Sequence, residues 1–79
     1  MASPYSDDEL TRRVKSPGWR LVTGANDKPV TGTLEEVLKS THQRHKSGQT
    51  LGGIEELETA IELDMIQIEK LWRYLGLPV

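Results

Sequence analysis

His42 and His45 come closest to metal chemistry in this sequence. Two imidazoles three residues apart occupy neighbouring positions on a helix and can supply two nitrogen ligands. A catalytic zinc site ordinarily takes a third protein ligand. Glu35 lies seven residues before His42 on the same side, and Glu36 is further round, but Lys39, Arg44 and Lys46 crowd the pair and repel a cation. The expectation is no metal and no cofactor, with His42 solvated and His45 half-buried at a helix end.

The same cations suggest a second chemistry. Lys39, His42, Arg44 and Lys46 form a basic helix end able to contact phosphate. A turn and another helix follow, as in a helix-turn-helix, whose second helix enters the major groove. Here that helix would carry Glu55, Glu56, Glu58 and Glu62 towards the phosphates, where Coulomb repulsion opposes docking. Nucleic acid is therefore the alternative partner and not the favoured one.

Catalytic patterns are scarce. Paired carboxylates need environments that separate their pKa values. Asp64 sits at the edge of an apolar stripe, where it is expected to pair with a basic residue at the rim, or to specify a helix–helix interface. No Gly-x-Ser-x-Gly elbow surrounds any serine. The run Gly24 to Lys28 lacks the spacing and hydroxyl of a phosphate loop and reads as a turn. The chain is read as having no enzymatic activity.

Composition narrows the class further. The chain has 79 residues, 35% apolar and 28% charged, with no cysteine and no phenylalanine. Disulfides, thiolate metal sites and thiol chemistry are excluded, and the absence of cysteine fits a cytoplasmic setting. No stretch approaches the ~18 consecutive apolar residues of a membrane span, and the acidic start is unlike a secretory signal. Residues 1–48 hold eight Lys/Arg and six Asp/Glu, whereas residues 49–79 hold two and six. The acidic final third argues against a nucleic-acid footprint there.

Three helices are expected to position these groups. Ser6 and Glu9 form a capping box for a short first helix that stops near Ser16, before Pro17-Gly18. Thr33 and Glu36 form another, opening a helix to about Lys46, with Leu34, Val37, Leu38, Thr41 and His45 on one face and Ser47-Gly48 as its stop. Residues 17–32 between them are rich in Gly and Pro. They form either a two-strand hairpin or, as preferred here, an irregular connector with Trp19 in the core. The third helix is expected from residues 50–54 to Leu75, ending at Gly76. Its stripe of Ile54, Leu57, Ile61, Met65, Ile68, Trp72 and Leu75 recurs at helical spacing. Leu57, Ile61, Ile68 and Trp72 are expected at the centre of the core.

The fold expected is thus all-α: a single small domain over residues 1–79, with residues 1–5 flexible. A short N-terminal helix, an irregular Trp-containing connector and a helical hairpin with a long amphipathic C-terminal arm make it up. Leu63, Ile66 and Tyr74 form a second apolar patch on that arm, opposite the main stripe, with Glu62 and Glu69 beside it. Such a patch marks an interaction site. The function expected is a small protein-interaction module, an adaptor, inhibitor or regulatory subunit. It would bind a larger protein or its own copy as a homodimer through these residues. The alternative is a DNA- or RNA-binding regulator using the basic helix end.

Overall fold

Trp19-Arg20-Leu21 alternates large apolar and polar residues, the period of a strand with one face buried. The computed structural model describes residues 5–22, 30–48 and 53–78. In it these three residues form β1 (Trp19–Leu21), an inner strand of a four-stranded antiparallel sheet. The elements run α1 (Asp7–Arg12), β1, β2 (Val30–Gly32), α2 (Leu34–Lys46), β3 (Ile54–Glu56), β4 (Glu62–Leu63) and α3 (Met65–Tyr74). The strand order is β2-β1-β3-β4.

Register sets the two faces of the sheet. Leu21 lies opposite Val30 on one side and Ile54 on the other, and Ile54 lies opposite Leu63. This row faces the core. The next row, Thr31, Arg20, Glu55 and Glu62, faces away from it. α2 packs on β1 and β2, and α3 packs on α1 and α2. Trp72 is fully buried, and its Nε1–H donates to the Leu38 carbonyl at 3.0 Å.

Three expectations are corrected here. The fold is mixed α/β and not all-α, and the chain is not purely helical. Among its described residues the Trp-containing connector is not irregular, because β1 and β2 pair within it as the alternative hairpin requires; Trp19 is fully buried, as expected. The long C-terminal arm is not one helix either. Residues 54–63 are two short strands and a turn, and the helix starts only at Met65. Leu57 therefore lies in the turn and is 48% exposed, Ile61 is half-buried, and Ile68 and Trp72 are buried as expected.

The helix boundaries follow local chemistry. Ser6 Oγ accepts from the Glu9 amide at 3.2 Å, and Thr33 Oγ1 accepts from the Glu36 amide at 3.2 Å. Two further amides at the start of α2, those of Leu34 and Glu35, donate to the carbonyls of Ser16 and Val14. The segment after α1 thereby satisfies donors that a helix start leaves without partners. Two residues past the end of α3, Gly76 has a φ of 78°, the left-handed conformation that closes a helix without Cβ strain.

The Gly24–Lys28 turn, the Thr50–Gly52 approach to the third helix, and residues 1–4 lie outside the described residues.

Candidate functional site

α3 is positioned by Asp64, not by the continuous helix the apolar spacing suggests. Its carboxylate accepts the Gln67 amide at 2.8 Å, which makes it the N-cap. The expected rim pairing of Asp64 with a basic residue is replaced by this backbone bond. Ile68, Leu71 and Trp72 turn inward and are at most 2% exposed. At ~100° per residue the opposite side carries Ile66, Lys70, Arg73 and Tyr74, with Glu69 on its flank. Ile66 is 66% and Tyr74 59% exposed, and Met65 at the helix start is 38% exposed. Lys70 Nζ donates to Asp7 at 3.1 Å, which ties this outer face to α1.

The five residues expected to bind a partner are therefore divided. Ile66, Glu69 and Tyr74 share α3. Leu63 is a core residue, 3% exposed, and takes no part in a surface patch. Glu62 is exposed on β4 and belongs to the open face of the sheet, directly opposite Glu55. Arg20 on the next strand forms an ion pair with Glu55. The break at Asp64 separates the two groups, because side chains alternate across a strand but step round a helix.

The basic end of α2 is also rearranged. Lys39 and Lys46 are exposed, and Arg44 is half-buried. Arg44 lines an open cleft of about 300 Å³ with Val30, Ser40, Gln43 and Ser47. His42 is 5% exposed, which reverses the expected roles of the two histidines, since His45 is the exposed one. His42 Nε2 bonds the Pro78 carbonyl, so it must carry the proton there. Its ring meets Trp72 edge-on at 5.3 Å, and His45 approaches the same indole at 5.1 Å. His42 is thus committed to holding the C-terminal segment against Trp72 and cannot serve a phosphate. Among the described residues no three His, Cys, Asp or Glu groups converge as metal ligands.

One polar cluster escaped the sequence reading. Glu56 points inward from β3 and is 8% exposed. Its Oε1 accepts from Thr59 Oγ1 at 2.7 Å and from the Tyr5 hydroxyl at 2.6 Å. Arg13 lies 3.7 Å from Oε2 and 4.8 Å from the Tyr5 ring centroid. The hydroxyl bonds from Thr59 and Tyr5 hold the Glu56 carboxyl below the usual carboxylate range, against the effect of burial. In return, the bond to Glu56 raises the Tyr5 phenol above its ordinary value. A carboxylate stabilised in its charged form is a poor general acid or base near neutrality. The spacing of Glu56 and Thr59 was the available signal, since a hydroxyl three residues after a carboxylate can close a turn onto it.

Among the described residues, no helix is long and apolar enough to cross a membrane. Compared with known proteins, the chain matches no family model, no curated protein and no solved structure.

Proposed function

We propose that this protein is a small interaction module that acts by binding another protein chain through the outer face of α3, without catalysis. The observation that carries this reading is the exposure of Ile66 and Tyr74, 66% and 59%, on a helix whose other side is fully packed. The core does not need either side chain. A helix presenting an aliphatic and an aromatic residue about two turns apart suits docking against a groove or another helix. Lys70 and Arg73 between them, and Glu69 on the flank, give the face a charge pattern that can select its partner. The cysteine-free sequence fits a cytoplasmic setting for this activity.

Replacing Ile66 and Tyr74 together by serine tests the reading. The double variant should melt within ~2 °C of the wild type, because surface changes of this kind shift stability little. It should lose the complexes that the wild-type protein forms. A double variant that retains the same complexes would show that binding uses another surface.

A further inference from the structure

We propose that the occupant of the α3 face is a second copy of this chain, packed antiparallel across a two-fold axis. This deepens the reading above and rests on it. The charges on the face favour this occupant. Glu69 and Arg73 are four residues apart on one flank, where a helix ordinarily pairs them. Neither makes an ion pair among the described residues. Both remain available to a partner.

A two-fold axis at the level of Leu71 leaves Glu69 and Arg73 equally spaced on either side of it. Because the axis keeps each flank facing the same flank of the copy, Glu69 of one chain meets Arg73 of the other. The contact occurs twice. On the opposite flank, Tyr74 comes beside Lys70 of the copy, an aromatic ring next to an ammonium group. The two Lys70 side chains approach one another there. Their repulsion is damped because each is already bonded to Asp7 of its own chain at 3.1 Å. Ile66 reaches the end of the neighbouring helix, at the level of Gly76 of the copy.

The interface is small. A ten-residue helix is about 15 Å long, short of what a tight dimer buries. The dimer is therefore weak, with a dissociation constant on the order of micromolar to tens of micromolar.

Sedimentation equilibrium of the full chain, from about 0.5 μM to about 1 mM, brackets that range. Glu69→Arg places Arg against Arg at both contacts, and Arg73→Glu places Glu against Glu. Each single variant should weaken association at least about tenfold. Mixed in equal amounts, the two should form a heterodimer near wild-type strength, since opposite charges then meet at both contacts. The double exchange, Glu69→Arg with Arg73→Glu, should also restore the homodimer and controls for folding. A wild-type chain that stays monomeric throughout, or single variants that fail to rescue one another, overturns the proposal. If a cross-linker at Tyr74 then joins a different protein, the binding face stands and only its occupant is wrong. If it joins nothing, both readings fail.

Discussion

Tyr5 and Glu56, fifty-one positions apart, share a hydrogen bond of 2.6 Å that ties the segment before α1 to the end of β3. Gln67 Nε2 reinforces the junction by donating to the Tyr5 carbonyl at 2.9 Å. α3 is thereby held against the N-terminal segment, with its outer face free.

Removing this clasp should be measurable. Tyr5→Phe deletes one bond to a charged acceptor and should cost about 1.5–3 kcal/mol in urea unfolding. The folded-state pKa of Glu56 is depressed. Its contribution is therefore fully present above the unfolded carboxylate value and is lost as pH falls through the lower folded value. The stability gap between wild type and Glu56→Gln should narrow correspondingly below about pH 4. A constant gap from neutral to strongly acidic pH would separate Glu56 from this linkage.

Leu63 and Leu57 distinguish the sheet from a continuous helix. Leu63→Ala should cost about 2–5 kcal/mol, because it empties a site opposite Ile54 in the core. Leu57→Ala should cost no more than about 1 kcal/mol, since that side chain is 48% exposed. Chemical denaturation of both variants decides the point, and the reverse order would favour the helical arrangement.

The reason that arrangement is so readable lies in Glu56 and Ala60. Thr33 and Ser6 as caps, Trp19, Ile68 and Trp72 in the core, and the stop at Gly76 all follow from local chemistry and were legible. The strands at residues 54–63 were not. A strand buried on one face should alternate apolar and polar. Here a charged residue, Glu56, occupies the inward position after Ile54, so the alternation is hidden. The turn that follows offers no Gly or Asn, the usual sign of a reversal. Ile54, Leu57 and Ile61 meanwhile fall at helical spacing. On the surface patch, Ile66 and Tyr74 were legible because they lie opposite a buried stripe. Leu63 was misassigned because the helix had been extended through Asp64.

Ala60 supplies its own test. It has a φ of 59°, the left-handed region that an alanine enters at a cost of about 1 kcal/mol. Ala60→Gly should relieve this strain and stabilise the protein by about 0.5–1 kcal/mol, despite the flexibility that glycine adds to the unfolded chain. A lower melting temperature in the glycine variant would show that the methyl group makes a contact worth more than the strain.

Asp64 sets where α3 begins, so it sets which side chains face outward. Asp64→Ala should cost about 1 kcal/mol, and Asp64→Asn should cost much less, because asparagine also caps. Equal losses in thermal melts of the two variants would mean that the carboxylate charge, not the cap, is what matters.

Photo-cross-linking from position 74 tests the binding face most directly. p-Benzoylphenylalanine at Tyr74 keeps an aromatic ring on the exposed side of α3, and the same probe at Thr31 samples the open face of the sheet. A discrete adduct should form from position 74 and be abolished by Ile66→Asp, with none from position 31. No adduct from position 74, or the same adducts from both positions, would contradict binding through this face.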